Sequence, residues 1–88
     1  MDTSTQLWYV YILRCADGTL YTGYTNDVDA RVEKHNAGKG AKYTKSRLPV
    51  VACYTESLES KSLAMQREYR IKKLTRAQKL VLIGDTDG

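Results

Sequence analysis

Two short apolar stretches near the N-terminus predict a β-hairpin. Residues 7–13 (LWYVYIL) and residues 20–25 (LYTGYT) are both rich in aromatic and β-branched side chains, which favour strands. The segment between them contains Ala16, Asp17 and Gly18, a composition typical of tight turns. Gly23 inside the second stretch indicates a bulge or a close approach of another group to the backbone.

The rest of the chain alternates helical and extended patterns. A helix over 28–37 follows Asn26 and Asp27, and a basic loop or short helical turn over 37–47 comes next. Pro49 introduces a strand over 50–55, which is followed by a helix over 60–74. The last helix begins with a Thr75–Gln78 capping box and ends near Gly84. The coarse order is therefore β-β-α-β-α-α. It predicts an α/β (α+β) fold, in which helices flank a small three-stranded antiparallel sheet.

Polar side chains occupy unexpected positions on two of these helices. On the first helix, Val28 and Val32 lie four apart and share a face. Arg31 and His35 fall on that same side at about 100° per residue. A guanidinium and an imidazole turned toward the core side are not the usual pattern of a solvated helix. On the longer helix, Glu68 borders the apolar stripe, so these three side chains are candidates for chemistry.

The 88 residues, 42% of them hydrophobic, are enough for one domain, 1–88, and exclude a disordered chain. No apolar run approaches the roughly 20 residues that span a bilayer, and residues 1–7 do not resemble a signal peptide. We therefore expect a cytoplasmic protein with no membrane partner. Cys15 and Cys53 do not form a CxxC pair, which argues against zinc and favours reduced, structural cysteines.

The net charge of +4 is unevenly distributed along the chain. Residues 31–47 contain six basic side chains against Glu33 alone, and residues 61–79 contain seven against Glu68 alone. Segregation of this kind favours a polyanionic partner such as a nucleic acid. A solvated basic surface on an ordinary protein would look the same, so charge leaves both interpretations open.

The order and spacing of several short motifs resemble those of the GIY-YIG nuclease superfamily, and in particular its small single-domain bacterial branch. The tripeptides YVY at 9–11 and YTG at 21–23 are similar to the paired motif that names the family. Arg31 lies 20 positions after Tyr11, His35 follows Arg31 by four, and Glu68 follows Arg31 by 37. The resemblance extends from Trp8 to about Ile83.

The resemblance implies a metal-dependent DNA endonuclease that hydrolyses phosphodiester bonds in DNA repair or processing. It implies catalytic roles for Tyr11, Tyr21, Arg31 and His35, and a Mg²⁺ or Mn²⁺ ion on Glu68. Arg31 would donate a fork of hydrogen bonds to the phosphate. A free tyrosine has a pKa near 10 and needs nearby cations to act as a base, whereas histidine titrates closer to neutrality. The choice of general base among these side chains stays open.

Two alternatives use the same basic surface. One is a nucleic-acid-binding module without cleavage, and the other is a nuclease subunit that a protein partner targets or activates. Magnesium-dependent cutting by the purified chain, lost on changing Glu68, would separate the enzyme from both. Tyr43, between Lys42 and Lys45, would either stack a base or pack against the protein.

Overall fold

The computed structural model describes residues 6–84. Its elements are β1 (Trp8–Arg14), β2 (Leu20–Thr25), α1 (Val28–Asn36), α2 (Lys42–Lys45), β3 (Val51–Leu58), α3 (Lys61–Lys72) and α4 (Arg76–Ile83). The predicted α/β (α+β) class with a three-stranded antiparallel sheet is confirmed. The order is β-β-α-α-β-α-α, because the basic segment after α1 forms the short helix α2, which the predicted order β-β-α-β-α-α did not count.

The sheet has the order β2-β1-β3, and both pairings are antiparallel. β1 is central because its apolar side chains alternate between two covered faces. β3 extends three residues beyond the predicted strand, since Leu58 pairs with Trp8 at the far end of β1. Its register shifts between Ile12 and Leu13, so Cys53 is an extra residue on β3. The edge position of β2 leaves one side of that strand open to the solvent.

The two faces of β1 pack into separate apolar clusters. Val10 and Ile12 join Ala64 and Ile71 of α3, and the half-buried Cys53 packs at the margin of this cluster. On the opposite face, Tyr11, Leu13, Cys15 and Val50 form the second cluster, with Val28 and Val32 of α1 packed against it. The structural role predicted for the two cysteines agrees with these positions. The sheet therefore lies between α1 on one side and α3 on the other.

Local signals in the sequence fix where the helices begin. Asp27 accepts a hydrogen bond from the Ala30 amide at 3.1 Å and caps α1, and Ser60 caps α3 through the Leu63 amide at 3.1 Å. The predicted Thr75–Gln78 capping box is confirmed at α4, which ends at Gly84 in a left-handed conformation with φ of 89°. α1 ends at Asn36, and α3 spans only Lys61–Lys72, so both are shorter than predicted.

A side-chain bridge holds the end of α1 against the start of β3. The Asn36 amide nitrogen donates to the Val50 carbonyl at 3.0 Å, and the Val50 amide donates to the Asn36 side-chain oxygen at 2.8 Å. The pair copies the hydrogen bonding of a neighbouring strand, so it fixes α1 relative to the sheet. Among the helices that the structure describes, none is long and apolar enough to cross a membrane.

Candidate active site

A cleft of about 350 Å³ opens beside β2, between α1 and α3. It takes residues from both faces of the sheet, because the edge strand separates the two helices there. The lining residues are Trp8, Tyr11, Tyr21, Gly23, Tyr24, Thr25, Asn26, Arg31, Lys61 and Glu68. Four of the five predicted site residues, Tyr11, Tyr21, Arg31 and Glu68, therefore lie in one cleft. His35 does not line it.

Tyr11 reaches the cleft from the central strand by passing over a glycine of the edge strand. Tyr11 and Gly23 are directly paired in the β1–β2 register. A Cβ atom at position 23 would lie 2.5 Å from the Tyr11 hydroxyl and 2.7 Å from the adjacent ring carbon. The close approach predicted at Gly23 is thus confirmed, and the group that approaches is the Tyr11 phenol.

His35 lies behind Tyr11, with none of its surface exposed. Its Nε2 atom is 3.1 Å from the Tyr11 hydroxyl, and its Nδ1 atom is 2.8 Å from the Thr44 hydroxyl of α2. The ring also meets Tyr21 edge to face, with centroids 5.4 Å apart. Because Tyr11 and Thr44 occupy both ring nitrogens, the hydrogen bond from His35 to the cleft lining runs through the Tyr11 hydroxyl.

A second glycine gives the His35 ring its space. A Cβ atom at Gly40 would lie 2.6 Å from Cγ of the ring and 2.9 Å from the His35 Cα atom. The Cα atom belongs to the backbone, which cannot swing aside as a side chain can. The loop after α1 can therefore close over the imidazole only if position 40 is glycine.

Burial shifts the pKa values of both hydrogen-bonded groups. Loss of solvent raises the pKa of Tyr11 above its usual 10.0, while a hydrogen bond and the positive charge from Arg31 act in the opposite direction. Loss of solvent, followed by the charge of Arg31, lowers the pKa of His35 below its usual 6.5. At neutral pH the imidazole is therefore uncharged, and one of its nitrogens carries a lone pair.

Arg31 and Glu68 supply opposite charges to the cleft. The Nε atom of Arg31 is buried and has no hydrogen-bond partner among residues 6–84, and the Arg31 side chain lines the cleft. The Glu68 side chain is 18% exposed, and one oxygen lies 3.3 Å from the Lys72 amine. Glu68 is the one carboxylate among the cleft-lining residues. A hard cation such as Mg²⁺ fits this donor set, because it keeps most of its waters and takes one or two carboxylates.

Several neighbours of the site were not found from the sequence. Lys61 at the start of α3 lines the cleft, with its amine 5.6 Å from the Trp8 ring. Thr44 and Gly40 contact His35 from the loop and helix that follow α1. The only sequence signal for that pair was the run GKGAK at 38–42, whose glycines indicate tight backbone approach.

Tyr43 lies close to the site but already has neighbours. Its ring stacks on Tyr21 with centroids 5.9 Å apart, and the Arg47 guanidinium lies 3.9 Å from its centroid. Arg47 is also 3.2 Å from Asp17, which makes it an ion-paired residue. The contacts favour the packing interpretation of Tyr43, although the side chain remains 40% exposed.

Comparison with known proteins agrees with this geometry. Residues 7–80 match the model of the GIY-YIG catalytic domain. A UPF0213 protein of Halobacterium salinarum is 64% identical over 84% of this chain and 96% of its own length. A UPF0213 protein of Staphylococcus haemolyticus is 63% identical over 85% of this chain and 92% of its own length.

Two solution NMR structures share the fold. A UPF0213 protein from Bacillus halodurans has a TM-score of 0.58 at 50% identity, covering 93% of this chain and 87% of that one. A protein from E. faecalis has a TM-score of 0.62 at 41% identity, covering 96% and 88%. The matched family model spans nearly all of the described residues and includes the whole cleft. The chain therefore belongs to the GIY-YIG catalytic domain family, a superfamily of nucleases.

Proposed function

We propose that this protein is a metal-dependent endonuclease that hydrolyses phosphodiester bonds of DNA, in DNA repair or processing. One observation carries the proposal: Tyr11, Tyr21, Arg31 and Glu68 share a cleft, and the Tyr11 hydroxyl is 3.1 Å from a buried imidazole. The cleft thus combines a phosphate-binding cation, a carboxylate and a hydroxyl with a proton acceptor behind it. Hydrolysis of a phosphodiester needs groups of these kinds.

Arg31 binds the phosphate in this proposal. Arg31 lines the cleft, so its guanidinium donates to a phosphate oxygen, and the fork geometry of that group allows a second, parallel hydrogen bond. The positive charge offsets the negative charge that builds on the phosphate oxygens as the attacking water adds. Lys61, at the rim of the same cleft, adds a second positive charge near the DNA backbone.

Tyr11 is the general base, and His35 is the final proton acceptor. Burial raises the pKa of Tyr11, so a free phenolate is scarce at neutral pH. A concerted transfer avoids it: the attacking water gives its proton to the Tyr11 oxygen while the Tyr11 proton moves to His35. The new P–O bond forms as the bond to the leaving oxygen breaks. Solvent protonates the departing oxygen. The imidazolium then gives its proton back to the Tyr11 oxygen, while the proton that Tyr11 took from the water leaves to solvent.

Glu68 is the residue that would hold a divalent ion. When bound, Mg²⁺ or Mn²⁺ supplies positive charge to the phosphate and to the departing oxygen. A single carboxylate ligand predicts weak binding and a hydration shell that is largely retained. Lys72, 3.3 Å from Glu68, is positioned to neutralise the carboxylate when the ion is absent.

The decisive experiment compares Glu68→Gln with Glu33→Gln. Purified proteins are incubated with supercoiled, nicked, branched and single-stranded DNA, with and without magnesium. We expect Glu68→Gln to cut at least about 100-fold more slowly, because the charge that holds the metal is lost. DNA binding should be equal or slightly tighter, because an anion facing phosphate is gone. Glu33, exposed on α1 and outside the cleft lining, is the matched carboxylate control, so its variant should retain wild-type cutting.

The outcomes separate the rival functions. Salt-sensitive DNA binding without cutting on any substrate would favour the nucleic-acid-binding module. Cutting that appears only when cell extract is added would favour the partner-dependent subunit. Near wild-type cutting by Glu68→Gln in magnesium would show that the assigned metal site is wrong.

A further inference from the structure

A line of buried polar groups runs from the cleft to the loop before α2. It joins the Tyr11 hydroxyl to His35 Nε2 at 3.1 Å, His35 Nδ1 to the Thr44 hydroxyl at 2.8 Å, and that hydroxyl to the Ala41 carbonyl at 2.9 Å. His35 and Thr44 have no exposed surface, and Tyr11 is only 1% exposed. Water therefore does not reach either nitrogen of the His35 ring, and the neighbouring protein groups decide which nitrogen carries the proton.

The neutral imidazole has two possible arrangements here. With the proton on Nδ1, His35 donates to the Thr44 oxygen, Thr44 donates to the Ala41 carbonyl, and Tyr11 donates to the bare Nε2. Each of these three hydrogen bonds then has one donor hydrogen and one acceptor. This arrangement loses one longer hydrogen bond, from the Ala41 amide to Nδ1 at 3.4 Å, because a protonated Nδ1 cannot accept it. This contact is longer than the three that are satisfied, so its loss costs the least.

The opposite arrangement fits the distances less well. With the proton on Nε2, Nδ1 accepts from the Thr44 hydroxyl and from the Ala41 amide. The Thr44 oxygen then has no hydrogen left for the Ala41 carbonyl, so two oxygens face each other at 2.9 Å without a hydrogen between them. Nε2–H would also donate to the Tyr11 oxygen, so the Tyr11 proton would lose Nε2 as its acceptor.

We propose that Thr44 is a positioning residue that holds His35 in the Nδ1–H tautomer and so keeps Nε2 ready for the Tyr11 proton. The catalytic consequence rests on the proposed nuclease function, whereas the tautomer itself does not. When the Tyr11 proton moves to Nε2, the ring becomes an imidazolium that donates from both nitrogens. Thr44 and the Ala41 carbonyl behind it stabilise that charge from the Nδ1 side.

The tautomer is directly measurable because His35 is the one histidine in the chain. Protein labelled with ¹⁵N-histidine gives a single pair of ring nitrogens in a long-range ¹H–¹⁵N correlation spectrum. We expect, at pH 7.5, a protonated Nδ1 and a bare Nε2 in the wild-type protein. A protonated Nε2 would overturn the proposal, whatever the activity of the protein.

Two variants test whether Thr44 sets the tautomer. Thr44→Val keeps the shape but removes the hydroxyl, so the Ala41 amide is left as the hydrogen-bond partner of Nδ1 and draws the proton to Nε2. Cutting should then fall by at least about 100-fold, with DNA binding unchanged. Thr44→Ser keeps the hydroxyl and should restore both the Nδ1–H tautomer and most of the activity.

The readouts separate failure of this proposal from failure of the proposed function. An unchanged Nδ1–H spectrum in Thr44→Val would contradict the role of Thr44 even if cutting fell. If the wild-type protein cuts no DNA, the nuclease function fails, while the wild-type and variant spectra still decide the tautomer. Should Thr44→Val not fold, Thr44→Ala removes the same hydroxyl from a smaller side chain, and an unchanged Nδ1–H spectrum in that variant would contradict the role of Thr44.

Discussion

Substitution of Gly23 by alanine should disable the site through a single methyl group. The new Cβ atom would lie 2.5 Å from the Tyr11 hydroxyl, whereas ordinary van der Waals contact begins at 3.4 Å. Tyr11 or the edge strand therefore has to move by about 0.9 Å. Tyr11 is held by the hydrogen bond between its hydroxyl and His35, so a shift of the ring takes the hydroxyl away from that partner.

The added methyl group has two opposing effects on folding stability but a single, unfavourable effect on the cutting rate. Alanine restricts the unfolded chain more than glycine, which favours the folded state by about 0.5–1 kcal/mol. Overpacking a buried site costs about 1–3 kcal/mol, so we expect a net loss of stability of up to about 2.5 kcal/mol. A displacement near 1 Å in a catalytic group lowers the rate by about 100-fold. The rate effect should therefore greatly exceed the loss of folded protein.

The assay measures DNA cutting and urea unfolding on the same preparations. Thr22→Val is the matched control, because Thr22 is the adjacent residue of β2 and its buried hydroxyl has no hydrogen-bond partner within residues 6–84. That control should cut normally and be at least as stable as the wild type, since it removes an unsatisfied polar group. If the Gly23→Ala variant cut DNA at the wild-type rate, the catalytic role of Tyr11 would be refuted, because Tyr11 could not then be acting from beside Gly23.

Three further predictions follow from the same geometry. Tyr11→Phe should lose most of the cutting activity and about 1–3 kcal/mol of unfolding free energy, because a buried His35 nitrogen is left without its partner; normal cutting would reassign the base. The lowered pKa of His35 means that the unfolded chain takes up a proton first as the pH falls below about 6.5. Stability present above that pH should therefore decline by up to about 1.4 kcal/mol per pH unit, and urea titrations of His35→Asn should lack this slope. DNA affinity should fall steeply between about 50 and 200 mM salt as counterions are released, and a flat salt response would argue against a nucleic-acid partner.

The fold was largely predictable because its signals are local. The hairpin, the Thr75–Gln78 capping box and the helix end at Gly84 each depend on residues close in sequence, and the structure contains all of them. The errors arose where tertiary pairing decides the boundary. β3 continues to Leu58 because Trp8 pairs with it across the sheet, and no property of residues 56–58 alone requires a strand there.

The site was predictable only in part, for a related reason. A spacing of four on one helix placed Arg31 and His35 together, and both do lie on the sheet-facing side of α1. Thr44 and Gly40 reach His35 from a loop whose path depends on packing. Nothing in the sequence around Lys61 distinguishes it from other lysines, and it is exposed in the structure. Only the position of α3 against Trp8 brings it to the cleft. These three residues can be recognised as neighbours of the site only from the folded structure.

The spacing of Arg31 and His35 also explains how one helix serves two environments. Four residues of helix span about 6 Å, so Arg31 lies at the cleft while His35 lies one turn farther on, behind Tyr11. Exchanging the two residues would bury a guanidinium among Tyr11, Thr44 and the Gly40 backbone, where the neighbouring groups that the structure describes carry no negative charge. A buried unpaired cation is costly, whereas a neutral imidazole satisfies both of its nitrogens there. The order arginine, then histidine, is therefore the one that desolvation permits in this fold.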